Sequence, residues 1–554
     1  MRDMNLPLHN LTSRLLPKRQ RLGAKAIASG SPDVVRLAQT VSEQDRVIEQ
    51  KSLVIEEQKK RIAVLEEYLR LERLNRYGRS SEKYAGQDEL FNEVEALAAD
   101  TTTNEMADVV IEESESEDVA EKELAREKRK AGRKPLSSSI PREQVYLNLS
   151  DEEKAGAIDT FYTVAKEELD ITPAKVRVLE YLQEKAVFAE IDAEGHEKRT
   201  IKVAERPQHP LGQSIASISL LAYIIVAKYC DGLPLYRLEK ILTRYGGTIT
   251  RTAMANWMIR LAVQLQPLIN LMREHQLAHP YIQADETRIQ VLKEVGRSAL
   301  SDKYMWVTLG GPPDQPATLF EYDPSRSKEV PLRLLEGFSG YLQTDGYAGY
   351  DAVCKAQGIT HLGCMDHVRR KFHSAQKAQP KINKMGKASH ADIALCKLRK
   401  LYKLEREIKP LSAEEKYQQR QNRSMPLLED FKRWVDENSG KVAKDSLTYK
   451  AMAYAINQWP KLIRYCDDGN LHMSNILAEN AIRPFVIGRK AWLFADTPKG
   501  AHASALFYSL VETAKANGLE PYEYLHAVLK RVPYAKTVED YEALLAWNFK
   551  RVIK

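Results

Sequence analysis

After Pro280 the chain takes up a run of strand and helix signals whose order leaves few folds open. In YIQADETRIQV (Tyr281–Val291), side chains alternate, sending Ile282 and Ala284 to one face of a strand and Gln283, Asp285 and Thr287 to the other. YMWVTL (Tyr304–Leu309) predicts a second strand, GGPPDQP a turn, and ATLFEYD (Ala317–Asp323) a third. Three consecutive strands joined by short loops make an antiparallel meander. A helix is expected over about Lys328–Leu335, then a strand Tyr341–Thr344 that ends in Asp345 and Gly346. Another helix leads to a strand at Thr360–Cys364 and then to the helix HVRRKFHSAQK.

The order β-β-β-α-β-α-β-α is that of a ribonuclease-H-like domain, in which the centre of the first strand lies beside the end of the fourth. Asp285 and Asp345 are therefore expected close together in space. Two aspartates that near resist sharing a site as anions unless a dication neutralises them. Paired Mg²⁺ or Mn²⁺ ions, two per site, prefer such oxygen ligands and can serve both the attacking and the leaving oxygen of a phosphoryl transfer. The candidate third carboxylate is Glu479, in SNILAENAIRPFVIGRKAWLF. A helix from about Ser474 would put Arg483 one turn after it, so that Arg483, Arg489 and Lys490 could hold DNA phosphates. Pro484 should end or kink that helix. A single Asp at a strand end is equally a turn residue; the two at matched strand positions carry the reading.

From Val34 an apolar residue returns every seventh position: Val34, Val41, Ile48, Ile55, Ile62, Leu69. This column predicts a coiled coil over 31–78, after an N-terminal tail of 1–30, and hence a homo-oligomer. The polar fourth column (Leu37, Gln44, Lys51, Gln58, Leu65, Glu72) leaves open a single amphipathic helix packed on its own domain. Residues 79–130 read as an acidic disordered linker centred on EESESED. At its end a basic arm with Arg129, Lys130, Arg133 and Lys134 either grips DNA phosphates or balances the acidic stretch. A small mixed domain completes 131–205, with strand-like pieces at Lys175–Tyr181 and Ala186–Ile191 and a core expected from Val176, Val178, Val187, Ala189 and Ile191. Over 206–275 a helical region, expected to stop at Pro267, contains a helix, a Gly246-Gly247 break and a helix opened by Thr250 or Thr252. That is helix-turn-helix grammar with Arg251, Asn256 and Arg260 on the reading helix, and it is also common in ordinary proteins.

Lys+Arg 83 against Asp+Glu 76 gives a net charge of only +7, and the pooling of acidic residues in one linker leaves the rest distinctly basic. Five scattered cysteines suit reduced thiols better than a disulfide framework. The start of the chain has no continuous apolar stretch of the secretory kind, and Ile215–Ala227 is too short to span a bilayer and reads as a buried helix. No membrane role is indicated.

The stretches RSSEK, DGLPLYRLEKI, QADET, TDGYAGY, HVRRKF and AEN-x-IRP-x-x-x-GRK-x-W-L-F, in this order, resemble those of the insertion-sequence-66 family of bacterial transposases. The resemblance runs from about residue 70 to the C-terminus. It implies a catalytic domain over 276–495 with a helical insertion at about 376–465, a helical C-terminal domain over 496–554, and Asp285, Asp345 and Glu479 as the metal-binding acidic triad. It also implies terminal inverted repeats and target DNA as substrates, accessory proteins of the same element as partners, and a bacterial cytoplasmic, nucleoid-associated location. Two features depart from the family pattern. Ser474-Asn475-Ile476-Leu477-Ala478 stands where relatives often carry Asp-Asn-Asn, and 136–205 lacks the paired cysteines of a zinc ribbon, so no zinc is expected there.

The spacing His361-x2-Cys364-x2-His367-x5-His373 could be metal-binding, but it also fits packing or a DNA contact, to which His367, Arg369 and Arg370 would contribute. The expected function is DNA cleavage followed by joining of the freed 3′-hydroxyl. The rivals are a non-catalytic DNA-binding regulator that keeps the coiled coil and helix-turn-helix, and a nuclease without joining activity.

Overall fold

The computed structural model describes residues 32–77, 175–191, 197–379 and 388–549, together with 144, 150, 162 and 163. The N-terminal tail, the acidic linker, and the basic arm with Arg129, Lys130, Arg133 and Lys134 lie outside the described residues. The heptad column falls on one 46-residue helix, α1 (Pro32–Tyr77). Ile48, Ile55, Ile62 and Leu69 are each half exposed along it. Its C-terminal end rests on the helical insertion described below: Tyr68 donates to the carbonyl of Asp445 at 2.9 Å, and Arg70 Nε to that of Ala378 at 3.1 Å.

Strands β1 (Lys185–Ile191) and β2 (Glu197–Val203) form an antiparallel hairpin. Residues 175–181, expected as a strand, have no strand partner among the described residues, and Val178 is 93% exposed. Val176 and Val187 are exposed as well, so the burial expected of these three valines is absent. β-Branched residues favour extended backbone, but a strand also needs a neighbour and a covered face.

Ile218–Tyr229 (α2) is the buried helix expected from its apolar run, with Leu221, Ile224 and Ile225 inaccessible to solvent. After α3 (Leu235–Arg244) and a turn through Gly246 at φ +86, Thr250 caps α4 (Arg251–Ala278) by accepting from Ala253 N at 3.2 Å. Helix α4 does not stop at Pro267. Proline removes the bond to the carbonyl four residues back, here that of Val263, a residue 71% exposed whose carbonyl water can satisfy. The buried Leu265, Leu268, Ile269 and Met272 hold the helix together across the gap.

The sheet begins with the antiparallel meander β3 (Tyr281–Val291), β4 (Lys303–Gly310) and β5 (Ala317–Asp323). A short helix α5 (Glu329–Leu334) leads to β6 (Tyr341–Gln343), α6 (Ala348–Gln357), β7 (Thr360–Leu362) and α7 (Met365–Lys377). An insertion of helices follows: α8 (His390–Ile408), α9 (Ala413–Gln419), α10 (Met425–Ser439) and α11 (Leu447–Leu462). The chain returns through α12 (Ile476–Trp492) and β8 (Phe494–Ala495), and α13 (Pro498–Ala516) and α14 (Pro521–Arg531) come next. The strand order is β5-β4-β3-β6-β7, with β8 also pairing β3; β6, β7 and β8 run parallel to their neighbours.

The alternation in β3 separates two cores. Ile282 and Ala284 pack with Trp306, Leu342, Tyr350 and Val353 beneath α5 and α6. On the other face Ile289, Val291, Val307 and Phe320 meet Ile482 and Phe485 of α12 and Tyr508 of α13. Phe485 lies 5.2 Å from the Tyr508 ring and 6.2 Å from that of Phe320, and removing such a buried ring costs about 3–5 kcal/mol. Helix α13 also blocks the outer edge of β5: Ser509 Oγ accepts from Phe320 N at 2.7 Å and Thr513 Oγ1 from Thr318 N at 3.0 Å. The insertion has its own core, in which Phe372, Leu398, Phe431 and Met452 meet. Pro484, like Pro267, fails to end its helix; the residue four back, Asn480, is exposed.

Candidate active site

Parallel pairing sets Gln283 of β3 opposite Gln343 of β6, so Asp285 and Asp345, each two residues further on, leave the two strands at matched heights. Asp285 Oδ1 accepts from the amide of Glu286 at 2.9 Å, and Asp345 Oδ1 from that of Tyr347 at 2.9 Å. Each carboxylate is thus fixed by a backbone donor close to it in sequence.

Glu479 comes from α12, whose first turn is stitched to the strand ends by buried amide side chains. Gln283 donates to Ser474 O at 3.3 Å and accepts from Ala478 N at 3.1 Å. Gln343 donates to His472 O at 2.7 Å and to Gly363 O at 3.1 Å, and Gln283 donates to Gln343 at 2.9 Å. Asn475, fully buried at the helix start, donates to Ala284 O at 3.0 Å. Buried polar groups in such a network are costly unless satisfied, so together they define one position for the helix. The sequence reading missed these three amides. The repeated Gln-x-Asp (Gln283-Ala284-Asp285, Gln343-Thr344-Asp345) is the signal that could have found two of them.

Burial, joined by the charges of Glu286, Asp345 and Glu479, pushes the Asp285 carboxyl well above the usual carboxylate range. Asp345 is raised too, by burial, against the opposing pull of the Tyr347 amide, Arg326 and Arg370. Glu479, 5% exposed, is held by Arg370 through two bonds, Nη2–Oε1 at 2.7 Å and Nη1–Oε2 at 3.2 Å. Glu286, a carboxylate the sequence reading did not single out, turns to the opposite face of β3. There Arg326 reaches it at 2.6 and 2.8 Å and Tyr350 donates to it at 2.7 Å. The Arg326 guanidinium also stacks over the Tyr347 ring at 4.0 Å, tying the Glu286 pair to the loop that carries Asp345.

The remaining residues proposed from sequence are dispersed around this centre. Arg369 lies over Tyr402 at 5.1 Å, and Arg489 donates to Thr287 at 3.1 Å, with burial pulling its guanidinium down to about 10. Arg483 is half-buried on α12, and Lys490 is exposed. On α4, Arg251 and Asn256 are exposed, whereas Arg260 donates to Leu211 O at 2.7 Å and pins the loop before α2. The four-residue His/Cys pattern does not converge. His361 bonds Thr344 at 2.7 Å and Asp351 at 2.9 Å, while only Cys364 and His367 approach each other, beside Glu479. The five cysteines are free thiols, and among the described residues no helix is long and apolar enough to cross a membrane.

Comparison with known proteins matches these elements to one family. A family model described as Transposase IS66 family covers residues 213–503, the span from before α2 to the start of α13. The IS66 C-terminal element matches 509–547, and Transposase C of IS166 homeodomain matches 64–145. Three uncharacterized proteins of Sinorhizobium fredii are similar along much of their length. Protein y4qI is 32% identical over 69% of this chain and 71% of its own, and y4jD 29% over 75% and 81%. Protein y4hP is 27% identical over 87% and 88%. No solved structure matches the chain. With its central half covered by one family model and a relative matched at 32% identity over most of both chains, the protein belongs to the IS66 transposase family.

Proposed function

We propose that this protein is a DNA transposase with a ribonuclease-H-like catalytic core, in which Asp285, Asp345 and Glu479 hold two Mg²⁺ or Mn²⁺ ions. The observation that carries the reading is electrostatic. The carboxyl of Asp285 on β3 is raised by burial and by the charges of Glu286, Asp345 and Glu479, and α12, which carries Glu479, is fixed to the strands by buried amides. An all-oxygen anionic donor set suits hard dications, and the charge left unbalanced on Asp285 is the kind they neutralise. When bound, such ions lower the proton affinity of an attacking oxygen and stabilise the leaving one.

The residues of the chain do the rest. The amides of Glu286 and Tyr347 aim the aspartates, and Arg370 holds Glu479 in place through two hydrogen bonds. Arg483 and Lys490 on α12, and Arg369 on α7, supply positive charge for a DNA backbone beside the acids. The half-exposed apolar column of α1 suits pairing with a second copy, and the docking of its end on the insertion would couple that pairing to the core.

The test is cleavage and joining of the element's inverted repeats with Mg²⁺ or Mn²⁺ and the accessory proteins of the element. Asp285→Asn, Asp345→Asn and Glu479→Gln should each abolish both steps and leave repeat binding nearly intact. Joining by any one of them removes that residue from the triad. A wild-type protein that binds the repeats but never cuts them would make it a regulator.

A further inference from the structure

We propose that Cys364, His367 and Glu479 form a binding site for one thiophilic divalent cation of the zinc class, separate in chemistry from the hard-cation site of the aspartates. A donor atom from each of the three lies within 4.8 Å of the other two. Two elements produce this convergence. Cys364 is the N-cap of α7 and His367 lies one turn further on, so Sγ and the imidazole face the same way; Glu479 arrives from α12 across the pocket.

The donors suit a soft or borderline cation, not Mg²⁺. Thiolate and imidazole select zinc-like ions, and one carboxylate completes a three-residue set of a kind that leaves a further position open. Cys364 is 1% exposed, and its sulfur accepts from the amide of Asn475 at 3.3 Å, a bond that orients it and would support a thiolate.

The pocket already holds a cation. Arg370 Nη2 lies 2.7 Å from Glu479 Oε1 and 2.9 Å from the His367 ring. With the thiol protonated, Arg370 and Glu479 sum to zero charge. Entry of a dication, departure of the guanidinium and loss of the thiol proton to solvent leave the metal with one thiolate and one carboxylate, again zero. The exchange therefore places no net charge in a buried pocket, which is where an uncompensated charge would cost most. Occupancy would take Glu479 away from the aspartates, so a thiophilic ion would oppose the Mg²⁺ reaction. That consequence rests on the proposed function, whereas the binding itself does not.

The test is titration of the full-length chain with Co²⁺ or Cd²⁺, read by the sulfur-to-metal charge-transfer absorption. It is done in a Cys396→Ser background, because Cys396 is the exposed thiol. One equivalent should develop the band. Adding Cys364→Ser, which exchanges the thiol for a hydroxyl of similar shape, should abolish it, and His367→Gln should weaken binding about tenfold or more. Thermal unfolding of each variant shows that it is folded. No band in the parent, or an unchanged band in Cys364→Ser, overturns the site. Loss of the band alongside intact strand joining in Glu479→Gln would overturn the catalytic reading and leave this one standing.

Discussion

Replacing Arg370 by Gln isolates the part played by a cation built into the site. The Arg370–Glu479 pair is buried, with side-chain exposures of 17% and 6%. Removing one member of such a pair strands the other charge and costs about 3–5 kcal/mol. The partial exposure of Arg370 favours the lower figure, and the Gln amide can return about 1 kcal/mol as a neutral hydrogen bond. A net loss of about 2 kcal/mol is therefore expected in EDTA, measured as a downward shift of the calorimetric transition of the core. The deficit should shrink as pH falls, because a protonated carboxyl tolerates burial without a partner. With Mg²⁺ or Mn²⁺ the deficit should narrow. Wild-type Arg370 competes with the metal for Glu479, so the variant should bind metal more tightly. Tenfold tighter binding would add about 1.4 kcal/mol to its metal-dependent stabilisation and recover most of the loss. A deficit of the same size with and without metal would refute the idea that Arg370 holds a cation's place, as would a variant as stable as wild type in EDTA.

Three further outcomes follow from the geometry. Because the folded-state Asp285 carboxyl is raised above its unfolded value, the metal-free protein binds more protons folded than unfolded. Its contribution to stability is present below about pH 4 and lost as pH rises through the folded value, while Mn²⁺ binding should strengthen over the same rise and release protons, measurable by calorimetry in buffers of different ionisation enthalpy. Gly346→Ala would set a Cβ 2.8 Å from the Tyr454 ring; it should shift the Asp345 loop at a cost of about 1–3 kcal/mol and weaken Mn²⁺ binding, and Tyr454→Ala in the same chain should restore it. Ile55→Asp with Ile62→Asp, at positions 50% and 55% exposed on α1, should halve the mass seen by sedimentation equilibrium if α1 pairs two copies, without altering the core's unfolding transition. An unchanged mass would discard the pairing.

Much of the sheet was legible because its strands are short runs of apolar and β-branched residues bounded by turn signals, with alternation where the two faces differ. Tyr281–Val291 and Ala317–Asp323 form strands over the spans their patterns predict, and Thr250 caps its helix as a threonine before an apolar run should. The misreadings share a cause: each concerns a residue whose local preference was overruled, or left unsupported, by partners distant in sequence. Pro267 and Pro484 break helices locally but sit where the lost acceptor belongs to an exposed residue and the flanking residues are buried. The valines near 176 prefer extended backbone, yet among the described residues no neighbouring strand covers them. Arg260, expected on a reading helix, and Arg370, expected at packing or a DNA contact, bond Leu211 O and Glu479, partners that no local sequence pattern displays.

Of the three acids, Glu479 is the hardest to place from sequence and the most heavily supported in the structure. Asp285 and Asp345 inherit their positions from strand pairing, which any polar residue at those heights would share. Glu479 reaches the sheet only after the whole helical insertion, and although β8 ties the far end of α12 to β3, the near end could still settle at several heights. What selects one is a set of directional bonds from Gln283, Gln343 and Asn475, each buried and each aimed at the backbone of residues 472–478 or of β3. An apolar contact would let the helix slide by part of a turn at little cost. A buried amide that loses its partner costs about 1–3 kcal/mol, so sliding would break several such bonds together. The polar residues inside this core thus fix position more than they add stability.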